Sequence, residues 1–198
     1  QIPKVFLDTS SLVSPDELNG DLLLMESRNS VRNITAHLLE KGRTLPGFMG
    51  DIGYAQSNRE RYEGFCQALM DAGKTPNPSL CLTTPLGIDS YREEIDSFLS
   101  SLSRMPDAFV CASDYVACIL MQLLEKRGLR VPEDVAVSGF DNNIEDLLAE
   151  NLTTVQVFNE ELGSRLALQI LYRIKYPHTP HEVTYLESKV LYRASTGD

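Results

Sequence analysis

Short apolar runs alternate along the chain with stretches whose apolar residues recur every three or four positions, the pattern of strands alternating with helices. Ala108-Phe109-Val110-Cys111-Ala112 and Val135-Ala136-Val137-Ser138-Gly139-Phe140 lack the apolar/polar alternation of a sheet with one wet face, so both are expected as parallel strands covered on both sides. Between them Val116, Leu120, Leu123 and Leu124 fall at helical spacing. Gly128 can take a left-handed cap and Pro132 forbids continuation, which ends this helix near Arg127. The result is a βαβ unit whose strands end in Ser113-Asp114 and Asp141-Asn142. Ligands of open parallel sheets sit beyond such carboxyl ends.

The same reading predicts a strand over 2–8 and a loop over 9–25 around the apolar piece Leu22-Leu23-Leu24. A helix follows over Ser27–Lys41, then a strand over Leu45–Gly50 and a helix over Ser57–Ala72. Next come a strand over Leu80–Thr84 and helices over Ser90–Ser103 and Glu160–Ile174. A loop at Pro177–Pro180 leads into the last strand. The fold class is α/β, with parallel sheets flanked by helices.

Composition narrows the function. The chain has 198 residues and 42% hydrophobic content, enough for a packed core. Its net charge of −10 argues against DNA binding by these residues, because neutralising phosphates takes clustered Lys and Arg. No apolar run approaches the roughly 20 residues that cross a bilayer, and no secretory signal is visible. Cys66, Cys81, Cys111 and Cys118 show no CxxC spacing and read as free thiols, which favours a reducing, cytoplasmic setting. His37, His178 and His181 lack metal-ligand or base–nucleophile context. Gly47, Gly50 and Gly53 lack the close first pair of a dinucleotide fingerprint, and neither a phosphate-binding P-loop nor a GxSxG occurs. Neither an enzyme, a metal site nor a cofactor is expected.

The segment PDAFVCASDYVACILMQLLEKRGLRVPEDVAVSGFDN, residues 106–142, resembles the signature of the lactose/galactose-repressor family without a gap. The resemblance extends to RTLPGFMGDIGYAQSNRERYEGF at 43–65, to Leu152-Thr153-Thr154-Val155 and to LESKVLYRAST at 186–196. It implies a two-lobed, periplasmic-binding-protein-like fold with residues 1–42 and 157–178 in an N-terminal lobe and 43–156 and 179–198 in a C-terminal lobe. Such regulators open with a helix-turn-helix and further strand-helix units, so the chain resembles the carboxyl part of one, with its first lobe incomplete. The resemblance implies the effector-binding core of a transcriptional regulator: a homodimer that takes a small molecule, a sugar first, between its lobes and contacts DNA only through the absent module. The alternative is a sugar-binding protein of a transport system, which shares the fold.

Residue roles follow from the resemblance together with side-chain chemistry. Arg61 is expected to point into the cleft and hold ligand hydroxyls; by local sequence alone it could as well pair with Glu60 or Glu63. Asp141 could accept sugar hydroxyls or cap the turn of Gly139-Phe140-Asp141-Asn142-Asn143. Ser113 is a ligand candidate or an N-cap, and Asp114 beside it a candidate with a stronger structural reading. Asn29 falls where one family member has an acidic contact. Sugar sites usually add an aromatic platform; the chain has no Trp, and Tyr54, Tyr115 and Phe158 are the aromatics expected near the rim.

Overall fold

The computed structural model describes residues 2–87, 89–142 and 150–198. Two parallel sheets organise them. The first has the order β1-β2-β8, with β1 at Val5–Leu7, β2 at Asp21–Met25 and β8 at Val183–Leu186. Its register pairs Phe6 with Leu22 and Leu22 with Val183. Residues 21–25 were expected within a loop, yet Asp-Leu-Leu-Leu-Met is the central strand and every one of its residues is buried. A central strand hidden on both faces shows no alternation, so its short run gives little periodic signal.

The second sheet has the order β4-β3-β5-β6, with β3 at Pro46–Met49, β4 at Cys81–Leu82, β5 at Ala108–Cys111 and β6 at Ala136–Ser138. Helices α1 (Arg28–Glu40) and α2 (Gln56–Asp71) cover one face, where Val31, Ile34 and Leu38 meet Phe48, Phe65 and Val110. On the other, α3 (Tyr91–Ser101) and α4 (Asp114–Lys126) bury Ile95, Leu99, Leu120 and Leu124 against Phe109 and Val137. Helix α4 ends as expected: Arg127 is its C-cap and Gly128 follows at φ +70°, which an L-residue rarely adopts.

Helix α5 (Asn159–Lys175) packs Leu162 and Leu166 on Leu23, Met25 and Leu186 of the first sheet. Its Leu168, Leu171 and Ile174 stay more than half exposed. Strands β7 (Thr154–Gln156) and β9 (Lys189–Leu191) pair antiparallel. Bridges from Ser138 to Thr153 and from Asp141 to Gln156 join β7 to the edge of the second sheet. The LTTV and RAST segments meet here: Thr153 bonds Arg193, Ser195 and Thr196, and the Ser195 hydroxyl donates to the Val137 carbonyl at 2.6 Å.

The chain crosses between lobes at other places than expected. Helix α1, assigned to the first lobe by a boundary at residue 42, packs in the second lobe's core. Strand β8, assigned to the second lobe from residue 179, pairs with β2 of the first sheet. The crossings therefore fall near Glu26, Val157 and Glu187-Ser188. At the first of them the Glu26 carboxylate accepts from the amides of Asn29 and Ser30, and the Ser188 hydroxyl donates to the Glu26 carbonyl, tying two crossings together.

Candidate functional site

A cleft of about 470 Å³ opens where the carboxyl ends of the two sheets face each other. Leu7, Asp8, Thr9 and Met25 line it from the first sheet, Leu162 from α5, and Tyr54, Ser57, Arg61 and Asp141 from the second lobe.

Arg61 lies in the second turn of α2 with its guanidinium carbon over the Phe140 ring, 3.6 Å from the centroid. A planar guanidinium over a ring still directs forked terminal donors sideways, which a lysine ammonium cannot do. One terminal nitrogen donates to the Ala112 carbonyl and, at 3.3 Å, to Asn58 Oδ1; the other stands 3.8 Å from Asp141 Oδ1. Its Nε is buried without a hydrogen-bond partner. Burial lowers the Arg61 pKa, while Asp141, Asp8, Asp114 and Glu60 oppose that shift. Asp141 answers in kind: burial raises its pKa and Arg61 draws it back. Its backbone is held at φ +108° by a bond from its amide to the Val155 carbonyl, a conformation that costs a non-glycine residue about 1–3 kcal/mol. The bond to Val155 holds this backbone in place and so sets the carboxylate just past the strand end. The expected turn continues past Asn142 into residues outside those described.

The remaining candidates separate. Tyr54 lines the cleft and is 77% exposed. Ser113 is the N-cap of α4, accepting from the Val116 amide at 3.3 Å. Asp114 is buried; it accepts from Thr154 Oγ1 at 2.6 Å, and its amide donates to the Phe140 carbonyl, so it ties β5, β6 and β7 together. Asn29 is exposed in the first turn of α1, away from the cleft lining. Neither Ser113 nor Asp114 lines the cleft.

Several residues that the sequence reading did not take as site residues lie in or beside the cleft. Asp8, held at φ +59°, accepts from Ser57 Oγ at 2.5 Å, across the lobes. Buried Glu60 accepts from the Tyr185 hydroxyl of β8 at 2.8 Å, also across the lobes, and from Gln56. Asp8 ends a strand, so the rule that selected Asp141 would have selected it too. Ser57 stands one helical turn before Arg61 on the same face. Glu60 carries no local signal, because its partner is 125 residues away.

Burial raises the Cys81 thiol to about 11 and the Cys111 thiol well above its ordinary range, which leaves both weak nucleophiles. Among the described residues no group of three or more His, Cys, Asp or Glu is placed to hold a metal ion, and no helix is long and apolar enough to cross a membrane.

Two parallel sheets flanked by helices, joined by repeated crossings and facing each other across a polar cleft, define the two-lobed binding-domain class. Residues 35–196 match the family described as periplasmic binding protein-like domain, and the chain belongs to that family, as an effector-binding domain of the lactose-repressor (LacI) type. It is 28% identical over 197 residues to the HTH-type transcriptional repressor PurR of Aliivibrio salmonicida, a match covering 98% of this chain and 57% of that protein. The chain thus spans less than two thirds of this curated relative. Among solved structures it is similar to a LacI-family transcriptional regulator from Sanguibacter keddieii, with a TM-score of 0.84 and 27% identity over 99% of this chain and 72% of the other. The transcriptional regulator CelR in complex with cellobiose matches with a TM-score of 0.83 and 25% identity, over 96% of this chain and 58% of the other. These relatives are regulators, not enzymes.

Proposed function

We propose that the chain is the effector-binding core of a transcriptional regulator that takes a polyhydroxylated small molecule, a sugar first, into the interlobe cleft. DNA is contacted by a helix-turn-helix module outside these residues, in a homodimer whose two modules move with the lobes. The observation that carries this reading is the Arg61–Asp141 pair, a fixed donor and a fixed acceptor 3.8 Å apart, facing Asp8 of the other lobe. Adjacent sugar hydroxyls both donate and accept, so a guanidinium beside a carboxylate can hold a diol that neither would hold alone. The cleft also presents Leu7, Met25, Val157 and Leu162, apolar surface suited to the C–H face of a ring.

The mechanism is a difference in affinity between two lobe arrangements. A ligand touching Asp8 on one lobe and Arg61 and Asp141 on the other makes its full set of contacts in only one arrangement, and shifts the population toward it. Calorimetric titration of the full-length protein with a panel of sugars, sugar phosphates and nucleobases identifies the ligand. Arg61→Ala is expected to weaken its binding by about tenfold or more, because it removes a charged donor whose hydrogen bond to a ligand hydroxyl contributes roughly 1.5–3 kcal/mol. Unchanged affinity in both Arg61→Ala and Asp141→Ala sinks the assignment of the site.

A further inference from the structure

A run of side-chain amides leads from the cleft to a lobe crossing. Asn142, next to Asp141, stands at φ +51°, a left-handed conformation that asparagine tolerates better than most residues. Its Oδ1 accepts from a terminal nitrogen of Arg193 at 2.8 Å, and its Nδ2 donates to Gln156 Oε1 at 2.5 Å. Gln156 Nε2 in turn donates to the Val157 carbonyl at 2.7 Å. Backbone amides run alongside: that of Asp141 donates to the Val155 carbonyl and that of Asn142 to Thr154 Oγ1. The stretch that carries Asp141 is thus laced to three consecutive residues of β7.

The polarity of this run has one solution. A guanidinium only donates and a backbone carbonyl only accepts, so Arg193 at one end and Val157 at the other decide which way both side-chain amides face. Turning either amide over would set donor against donor or acceptor against acceptor. A network fixed at both ends in this way can hold its members more tightly than separate pairs would. Its far end falls on a particular residue: among the described residues, Val157 alone packs against the apolar cores of both lobes. Val157 also lines the cleft with Asp141. The acceptor of the candidate site and the residue shared by the two cores are therefore joined by two side-chain links, Asn142 to Gln156 and Gln156 to Val157.

We propose that Asn142 and Gln156 are positioning residues that tie the Asp141 carboxylate to the crossing at Val157, so that a ligand held at Asp141 biases the lobe arrangement through them. The inference deepens the reading above and rests on Asp141 as the ligand's acceptor. The test is hydrogen exchange, read by mass spectrometry, on the ligand-free full-length protein. Asn142→Asp keeps an acceptor for Arg193 and tolerates the left-handed backbone, but it obliges Gln156 to turn its Nε2 toward the new carboxylate and leaves the Val157 carbonyl facing an oxygen. Segment 155–162 is expected to exchange about fivefold faster, as the loss of one hydrogen bond implies, while segment 108–126 exchanges as in wild type and reports an intact fold. Gln156→Leu is expected to speed 155–162 to a similar extent, and Asn142→Asp added to it to change that segment no further. Two substitutions that acted independently would instead multiply their effects. Unaltered exchange of 155–162 in Asn142→Asp, or multiplied effects in the double variant, overturns the relay; Asn142→Asp decides alone if Gln156→Leu fails to fold. Calorimetric titration of the wild-type protein with glucose and cellobiose tests the sugar reading separately, and since no sugar enters the exchange measurement, either idea can fail while the other stands.

Discussion

Asp21 and Arg173 are 2% and 5% exposed, and charges so deeply buried persist only when their hydrogen bonds are complete. They are complete here. The Asp21 carboxylate accepts a forked pair of bonds from Arg173, one from Gln169 and one from the Glu182 amide; Arg173 also donates to the Thr179 and Pro180 carbonyls. The cluster therefore binds the start of β2, the last turns of α5 and the approach to β8 into one unit. Arg173→Met is expected to cost about 3–5 kcal/mol, read from urea unfolding at pH 7, because it strands a buried carboxylate. The pH dependence has a definite sign. Burial alone would raise the Asp21 pKa, but the bonds from Arg173, Gln169 and the Glu182 amide outweigh it and the net shift is downward. A carboxylate with a depressed folded pKa contributes stability that is full above its unfolded value of about 3.9 and is lost as pH falls through the folded value. Stability should thus drop in this acid window, and drop less in Asp21→Asn; equal acid sensitivity in the two proteins would contradict this role.

At the scale of elements, the close approach of α1 to α2 decides where Arg61 sits. A Cβ at Gly64 would lie 2.1 Å from the Arg28 carbonyl oxygen and 3.2 Å from the Arg32 amide nitrogen, so the two backbones meet at a position only glycine allows. Gly64→Ala gains about 1 kcal/mol of helix propensity, yet the clash is with backbone and no rotamer change relieves it. Overpacking of this kind typically costs about 1–3 kcal/mol, and the clash is expected to win. Thermal unfolding should show a lowered Tm, and ligand affinity should fall with it, because Ser57, Glu60 and Arg61 share the α2 face that would move. This contact also explains what was legible in the sequence. The unit from Ala108 to Phe140 was readable because its strand runs, helical spacing, Gly128 and Pro132 are local signals. The helical pattern of residues 27–41 was readable too, but its lobe was not: that depends on Val31, Ile34 and Leu38 fitting Phe48 and Phe65, a contact between elements. Arg61 and Asp141 could be named because a family pattern marks them. Asp8 was not singled out, and Glu60 was weighed only as a local ion-pair partner of Arg61, because their meaning comes from Ser57 and Tyr185, which reach them only after both lobes fold.

Across the whole molecule, hydrogen bonds join the lobes beside the cleft: the Gln56 amide to the Thr9 carbonyl, the Ser11 hydroxyl to the Gly53 carbonyl, and two side-chain bonds on one face of α2, Ser57 to Asp8 and Tyr185 to Glu60. A ligand that bridges Asp8 and Arg61 acts on the same separation as these bonds, so their strength sets how often the ligand-free lobes adopt the arrangement with these bonds made. A hydrogen bond to a charged acceptor contributes about 1.5–3 kcal/mol, so its loss can lower that population by roughly tenfold or more. Apparent affinity falls by the same fraction when only the populated arrangement binds. Tyr185→Phe is therefore expected to weaken ligand binding by about tenfold without touching the cleft lining, and to raise the radius of gyration of the ligand-free protein in solution scattering. Unaltered affinity with unaltered scattering would remove Glu60–Tyr185 from the lobe equilibrium. Alkaline pH supplies a second lever. Burial, and then the bond to Glu60, raise the Tyr185 pKa to about 12. A tyrosine raised in this way contributes stability that is full below its unfolded pKa of about 10 and is lost as pH climbs through the folded value. The bond thus holds unchanged through neutral pH. The advantage of wild-type protein over Tyr185→Phe in holding the lobes together should then be full near neutrality and shrink as pH rises toward about 12, because a phenolate cannot donate to Glu60.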